Sequence, residues 1–119
     1  MLLLYIINKI IKGKLMADFN NVSIDKSANI FYDGNVSSRN IEFEDGTRKT
    51  LGIMLPGLYE FNTIHKEIMD INSGEVEYKL QAEEWVKLSA PTSFEVPANS
   101  RFKIKVNSLM DYCCSFIKE

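Results

Sequence analysis

The feature that most restricts the fold of this chain is the short spacing between its turn signals. Pro56-Gly57 predicts a chain reversal, because proline presets the backbone dihedral at one turn position and glycine tolerates the positive one at the next. Asn72-Ser73-Gly74 predicts another turn soon afterwards. Between them, residues 59–62 alternate aromatic and polar, which predicts a strand with one aromatic and one polar face. The distance between these turns leaves too few residues for helices.

The same alternation continues through the rest of the chain. Residues 30–32 predict a short edge strand, and residues 76–80, 94–96, 102–106 and 112–117 alternate in the same way. No convincing helical periodicity appears after the N-terminus. The sequence therefore predicts an all-β fold, with a jelly-roll β-barrel favoured because closing or stacking a sheet protects its edges.

A hairpin is predicted around Asp45-Gly46, a dipeptide that suits the two-residue turn whose twist matches the flanking strands. In that register Phe43 lies opposite Arg48. Arg48 would then share one face of the sheet with Ile41 and Phe43.

The chain has 119 residues, enough for one domain. We expect an irregular N-terminal extension over residues 1–29 and a β-barrel domain over residues 30–119. The apolar run near the start is shorter than the roughly 20 residues of a membrane-spanning helix and lacks the layout of a secretory signal. Residues 12–14 can be encoded by a purine-rich stretch that resembles a ribosome-binding site ahead of Met16. We interpret residues 1–15 as upstream sequence that is not translated in the cell.

Charge and cysteine content restrict the function. The chain has 14 basic and 16 acidic residues, so it lacks the electropositive footprint of a protein that binds a nucleic-acid polymer. Cys113 and Cys114 are adjacent, and adjacent strand residues point to opposite faces, so a disulfide between them would be strained. We expect reduced thiols in a cytoplasmic protein that binds neither nucleic-acid polymers nor membranes.

His65 is the single histidine, and we interpret it as a loop residue. A site with three histidine ligands cannot be built from one. A serine activated by a His-Asp pair would have to use His65 itself.

Six short blocks, taken with their order and spacing, resemble the pyrimidine/purine nucleoside phosphorylase family of small bacterial cupins. The blocks are Gly52-x-Met54, Pro56-Gly57-x-Tyr59-x-Phe61, Ser73-Gly74-Glu75, Glu84-Trp85, Phe94-Glu95-Val96-Pro97-Ala98-Asn99-Ser100 and Asp111-Tyr112-Cys113-Cys114-Ser115. The resemblance covers roughly residues 30–117. It implies a cupin barrel, a homodimer, and phosphorolysis of purine and pyrimidine nucleosides to a free base and (deoxy)ribose 1-phosphate.

The chain departs from this family at Leu58 and Asn62, which stand where Glu and Gly or Ser are usual. The change at Asn62 bears on substrate preference. Cupins that bind metal carry a His-x-His pair and a later histidine, and those positions fall at residues 60–62 and at Phe102. A carboxylate, an amide and a phenyl ring cannot replace three imidazoles, so we expect no metal and no other cofactor, with inorganic phosphate as co-substrate.

Phosphorolysis needs a cation for phosphate and a proton donor for the departing base. Arg48 is the candidate for binding phosphate, although it could instead cap an edge strand or pair with Glu44. Glu60 and Glu67 are the catalytic candidates, because they could protonate the base or hold ribose hydroxyls, and the cupin alignment turns Glu60 toward the cavity. Both could instead be solvated carboxylates.

Four further side chains are candidates for binding the substrate: Tyr59, Phe61, Asn62 and Tyr112. The aromatic ones could instead be core residues, which is the more common case at alternate strand positions. Two other functions stay open at this point. One is a non-catalytic cupin that binds a small sugar or nucleotide, and the other is a purely structural dimer module.

Overall fold

A computed structural model of the protein describes residues 18–118. It contains one 3-10 turn, Tyr32–Gly34, and no α-helix in that range. The strands are β1 Ser23–Ile24, β2 Asn29–Phe31, β3 Val36–Glu42, β4 Arg48–Met54, β5 Gly57–Asn62, β6 Lys66–Ser73, β7 Glu75–Leu80, β8 Val86–Ser89, β9 Thr92–Val96, β10 Arg101–Val106 and β11 Met110–Ile117.

The strands form two antiparallel sheets. The larger sheet has seven strands in the order β1-β3-β4-β11-β6-β9, with β2 pairing to β3. The smaller sheet has four strands in the order β5-β10-β7-β8. Side chains from both sheets form one buried cluster between them. The predicted all-β barrel is confirmed.

The smaller sheet follows the predicted alternation closely. In β10, the side chains of Phe102, Ile104 and Val106 are buried, with 3%, 0% and 2% of their surface exposed. The lysine and arginine residues between them are exposed. Apolar residues at every second position therefore place one face of this sheet in the core and the other in water.

The hairpin between β3 and β4 differs from the prediction by one residue. Phe43 N–H donates to the carbonyl oxygen of Thr47 at 2.9 Å, and Gly46 N–H donates to that of Phe43 at 3.0 Å. The loop therefore spans residues 44–46. Gly46 has φ of +87°, the left-handed conformation that a three-residue hairpin loop requires and that glycine adopts at little cost. The two-residue turn predicted for Asp45-Gly46 is wrong.

This register changes the face on which Arg48 lies. Arg48 pairs with Glu42 rather than with Phe43. Residues directly opposite each other in an antiparallel pair share a face, so Arg48 lies with Asn40 and Thr50, which also pair with each other. The prediction that Arg48 shares a face with Ile41 is wrong, and Arg48 instead belongs to the face that looks into the barrel.

Residues 18–29, the described part of the expected N-terminal extension, are less irregular than expected. Strand β1 pairs with β3, and strand β2 begins at Asn29, which pairs with Ser38. The edge strand predicted at residues 30–32 is confirmed as β2. The interpretation of residues 1–15 as untranslated sequence lies outside the described residues. Within residues 18–118, no helix is long and apolar enough to cross a membrane.

Tyr32 links the two sheets at the 3-10 turn. Its hydroxyl donates to the carbonyl oxygen of Glu60 at 2.5 Å and accepts from the Glu60 N–H at 3.0 Å. Its ring lies 5.0 Å from that of Tyr59 and 5.7 Å from that of Phe61. Tyr32 has φ of +51°, a conformation that bulky residues rarely adopt. These contacts tie strand β5 to the N-terminal edge of the larger sheet.

Candidate functional site

A cavity of about 350 Å³ lies between the two sheets, within the size range of small-molecule sites. We call it the inner cavity. Its apolar lining consists of Phe31, Val36, Met54, Phe61, Met69, Phe102 and Phe116, and its polar lining consists of Asn29, Ser38, Asn40, Thr50, Asn62, Glu67, Tyr112 and Cys114. Most of the polar side chains come from the larger sheet.

A wider groove of about 850 Å³ lies at one end of the barrel, and we call it the mouth groove. It runs between the β3–β4 loop, the loop between β5 and β6, and the end of β11. Asn62, Glu67 and Phe116 line both the groove and the inner cavity. The two spaces are therefore adjacent, and these three residues line both of them.

Glu67 lies where the cavity and the groove meet. Its strand, β6, is flanked by β9 and β11, which place Val96 and Phe116 opposite it. The Cys114 thiol donates to Glu67 Oε1, with Sγ and Oε1 3.4 Å apart. Burial raises the pKa of the Glu67 carboxyl, while the hydrogen bond from Cys114 acts in the opposite direction. The carboxyl is therefore biased toward its protonated form.

Two further titratable groups on β11 face the cavity beside Glu67. Burial, with a contribution from the neighbouring Cys114, raises the pKa of Tyr112 to about 12. Burial and the nearby Glu67 carboxylate also raise the pKa of the Cys114 thiol. Both groups keep their protons at neutral pH and act as hydrogen-bond donors. Cys113 faces the opposite side of the strand, and both cysteines are free, as predicted.

A hydrogen-bonded row of side chains forms the polar wall of the inner cavity. The Asn29 amide nitrogen donates to Ser38 Oγ at 3.2 Å and to Asn40 Oδ1 at 3.1 Å. The Asn40 amide nitrogen donates to Asp25 Oδ2 at 2.9 Å. Thr50 lies opposite Asn40 on the adjacent strand. This row fixes the amide orientations, so the wall presents hydroxyl and amide groups in set directions.

Gly52 leaves room for the Tyr112 side chain. A Cβ atom at residue 52 would lie 2.6 Å from the Tyr112 hydroxyl oxygen and 2.1 Å from the Ser37 carbonyl oxygen. The phenol occupies this space and donates to that carbonyl at 3.3 Å. A glycine at this position therefore allows the Tyr112 ring to lie against the strand.

The mouth groove combines the cationic side chains of Arg48 and Lys118 with the imidazole of His65 and the amide of Asn62. Asp45 lines the same groove and adds a carboxylate. Its pKa is lowered by hydrogen bonds from Thr47, whose N–H donates to Asp45 Oδ1 at 2.8 Å. Because the Asp45 carboxylate is hydrogen-bonded within its own loop, the side chains of Arg48 and Lys118 remain available for an anion such as phosphate.

Glu60 does not face the cavity. It lies on the exposed face of the smaller sheet, where its Oε1 is 3.2 Å from Arg101 Nε. Side chains alternate between the two faces along β5, so Glu60 points away from the face that carries Tyr59 and Phe61. The orientation that the cupin alignment implied for Glu60 is therefore wrong, and the simple period of two describes this strand correctly.

The other predicted residues divide into two groups. Phe61, Asn62 and Tyr112 line the inner cavity, and Asn62 also accepts from Arg101 Nε at 3.3 Å. Tyr59 instead packs in the core with 4% of its surface exposed, and its hydroxyl donates to the Leu55 carbonyl oxygen at 2.6 Å. The structure thus brings Arg48, Glu67, Phe61, Asn62 and Tyr112 together around two adjacent spaces, without Glu60 and Tyr59.

Several lining residues were not identified from the sequence. Ser38, Asn40 and Thr50 point inward at alternate positions of β3 and β4, but they are polar. A search for alternating apolar residues therefore cannot find them. His65 is a loop residue as interpreted, and it also lines the mouth groove.

Metal-ligating groups are sparse in the described part of the chain. No group of three or more His, Cys, Asp or Glu side chains in residues 18–118 is placed to hold a metal ion. The predicted His-x-His positions carry Glu60, Phe61 and Asn62, and only Phe61 and Asn62 line the inner cavity.

A family model described as pyrimidine/purine nucleoside phosphorylase matches residues 26–116. A protein of that name from Chlorobium chlorochromatii is 63% identical over 102 residues, which is 86% of this chain and 99% of the relative. A protein of the same name from Sulfurimonas denitrificans is 55% identical over 103 residues, which is 87% of this chain and 100% of the relative.

Solved structures support the fold. A protein of unknown function from Acinetobacter has 39% sequence identity and a TM-score of 0.81, covering 85% of this chain and 99% of its own. A cupin-like protein from Thermotoga maritima has 15% identity and a TM-score of 0.58, covering 68% of this chain and 67% of its own. The barrel is therefore cupin-like.

Proposed function

Because the chain belongs to the pyrimidine/purine nucleoside phosphorylase family, we propose that it cleaves purine and pyrimidine nucleosides with inorganic phosphate in the inner cavity and mouth groove. The products are the free base and (deoxy)ribose 1-phosphate, so the reaction is a pentosyl transfer. The observation that carries the proposal is the adjacency of the two spaces, with Arg48 lining the groove and Glu67 lining both.

The nucleoside occupies the inner cavity in this proposal. The phenyl rings of Phe61, Phe102 and Phe116 offer apolar surface to the base, and the aromatic pair Phe61 and Phe102 have centroids 5.7 Å apart. The polar wall that includes Ser38 and Asn40 offers hydrogen bonds to hydroxyl groups of the sugar. The division of the cavity into an aromatic and a polar side supports a ligand with the same division.

Phosphate occupies the mouth groove, held by Arg48 with His65 and Lys118 nearby. Arginine suits this role because its planar guanidinium donates paired hydrogen bonds to phosphate oxygens. From the groove, a phosphate oxygen attacks the sugar C1 carbon. The bond from C1 to the base nitrogen breaks, and its electron pair leaves with the base.

Glu67 supplies the proton that the departing base needs. Its pKa is raised by burial, which favours the protonated carboxyl that donation requires. The carboxylate that remains is reprotonated from solvent through the groove. Positioning and charge account for the rest of the catalysis, since phosphorolysis needs no covalent intermediate on the protein.

The test is phosphate-dependent release of base from uridine, inosine and adenosine, measured with the purified protein after treatment with a metal chelator. We expect release that requires phosphate and survives the chelator. Absence of phosphate-dependent release would contradict the enzymatic proposal, and a thermal shift with nucleoside but no turnover would point to a binding module.

Arg48→Ala tests the position of phosphate. Loss of charge-assisted hydrogen bonds predicts that the KM for phosphate rises roughly 10- to 100-fold. Arg39→Ala is the matched control, because Arg39 is exposed on the neighbouring strand and donates to the Lys26 carbonyl oxygen at 2.6 Å. An unchanged KM for phosphate in Arg48→Ala would place the anion elsewhere.

The assembly and location that accompany this proposal are a homodimer in the cytoplasm. Two reduced cysteines support a reducing compartment. Light scattering of the protein at assay concentration measures the mass, and a monomer mass with full activity would contradict the dimer.

A further inference from the structure

Cys114 lies inside the inner cavity and has no role in the reaction described above. Its side chain has 4% of its surface exposed, and its thiol donates to Oε1 of Glu67 across neighbouring strands, with the two atoms 3.4 Å apart. In the ladder, Cys114 lies opposite Met69, so it reaches Glu67 diagonally rather than across a direct pair. A buried donor aimed at the proposed proton donor can control where that carboxyl points.

We propose that Cys114 is the positioning residue for Glu67: its thiol donates to Oε1 and fixes the carboxyl where the cavity and the groove adjoin. The inference rests on the proposed role of Glu67 as proton donor. It assigns no bond-making step to Cys114 itself. Since the thiol keeps its proton, it acts as a donor and not as a nucleophile.

The geometry explains why the thiol selects one oxygen of the carboxyl. Oε1 accepts from Cys114, which leaves Oε2 to carry the proton that is transferred. The surrounding surface is apolar on two sides, because Phe116 and Val96 lie opposite Glu67 on the flanking strands. Without the thiol, the carboxyl could rotate about its last side-chain bond, since terminal torsions of this kind have broad energy minima.

Other titratable groups also face Glu67 and set the background for any pH measurement. Strand β9 contributes no titratable group opposite Glu67, because the residue at that position is Val96. Strand β11 contributes Tyr112, strand β4 contributes Arg48, the two loops contribute Asp45 and His65, and the chain after β11 contributes Lys118. All of these remain in place when only Cys114 is changed, so the comparison isolates the thiol.

The experiment compares the pH dependence of kcat for the wild type, Cys114→Ala and Cys114→Ser, with phosphate and uridine saturating. If Glu67 acts in its protonated form, kcat falls as pH rises through its pKa. A hydrogen bond to a carboxylate favours ionisation, so removing the thiol moves this fall to higher pH. We also expect a roughly three- to tenfold lower kcat on the low-pH side, because the carboxyl is no longer oriented.

Two variants provide the controls. Cys114→Ser retains a donor of similar size and should restore the pH profile toward that of the wild type. Cys113→Ala removes the adjacent thiol on the opposite face of β11, where it lies beside Lys49 and Leu51 and does not line the inner cavity, and should leave the profile unchanged. If Cys114→Ala is too unstable for kinetics, Cys114→Val keeps the volume and still lacks the donor.

A profile for Cys114→Ala or Cys114→Val that falls at the same pH as that of the wild type overturns the inference. So does an equal displacement in Cys113→Ala. A second measurement separates this failure from a failure of the proposed function. Titration of protein with isotope-labelled glutamate Cδ, with the Glu67 signal identified by its loss in Glu67→Gln, should show a higher pKa in Cys114→Ala whether or not nucleosides react.

Discussion

The inward faces of the two sheets differ in chemistry, although they enclose the same barrel. The smaller sheet presents an apolar face, with Ile104 and Val76 fully buried at 0% and 1% exposure. The larger sheet interrupts its apolar face with Ser38, Thr50 and Glu67, which line the inner cavity. One sheet therefore supplies mainly packing, and the other supplies hydrogen bonds and a titratable carboxyl.

Two carboxylates make the contrast concrete. Glu60 on the smaller sheet points to solvent and pairs with Arg101. Glu67 on the larger sheet points inward and accepts from Cys114. They are seven positions apart in the sequence and separated by one loop, yet Glu60 is exposed while burial raises the pKa of the Glu67 carboxyl. Chemistry should therefore depend on the larger sheet and stability on the smaller one.

The largest expected effect is on turnover in Glu67→Gln. Loss of the proton donor predicts a kcat roughly 10²- to 10⁴-fold lower, measured as phosphate-dependent release of uracil from uridine. Glu60→Gln is the matched control and should change kcat less than about twofold, because an exposed ion pair contributes little. Equal losses in the two variants would break the contrast between the sheets.

The next effect is on stability, and it belongs to the smaller sheet. Ile104→Ala removes a side chain with 0% exposure from the core, so we expect a loss of about 2–5 kcal/mol in the free energy of unfolding. Urea denaturation followed by fluorescence measures it. Thr50→Val, which changes a cavity-lining side chain of similar shape, should change this free energy by less than about 1.5 kcal/mol.

A cost for Thr50→Val as large as that for Ile104→Ala would mean that the polar wall is a stability element. In that case the larger sheet would not be specialised for binding. Activity of folded Ile104→Ala close to that of the wild type would strengthen the division between the sheets.

The sequence predicted the smaller sheet better than the larger one, for a physical reason. Residues 102–106 alternate apolar and charged, and such a period of two fixes which face is buried. Strand β3 carries Val36, Ser38 and Asn40 on its inward face. Its polar residues there line the cavity instead of facing solvent. A pattern of polarity alone cannot separate these two causes.

The register of the β3–β4 hairpin shows a second limit. Asp45-Gly46 is compatible with loops of two or three residues, and the choice between them moves Arg48 to the other face of the sheet. Arg48 reaches the mouth groove because the longer loop forms. Arg48 lines the groove, but the reasoning from the shorter turn was wrong.

The smallest expected effect is on the pH dependence of stability. It tests whether burial of Glu67 changes the free energy of unfolding, as the contrast between the two sheets requires. Its pKa in the folded protein is raised above the unfolded value. The stabilising contribution of this group is therefore fully present below the unfolded pKa, near 4.5, and is lost as pH rises through the folded pKa. Glu67→Gln cannot ionise and lacks this loss.

The free energy of unfolding of Glu67→Gln relative to the wild type should therefore become more favourable as pH rises from about 4 to about 7, since each unit of pKa difference corresponds to about 1.4 kcal/mol. Urea denaturation at several pH values measures this difference. If the two proteins keep a constant difference across that range, Glu67 has the same pKa folded and unfolded. The inward face of the larger sheet would then behave as a solvated surface, and burial would not explain how Glu67 holds the proton that it donates.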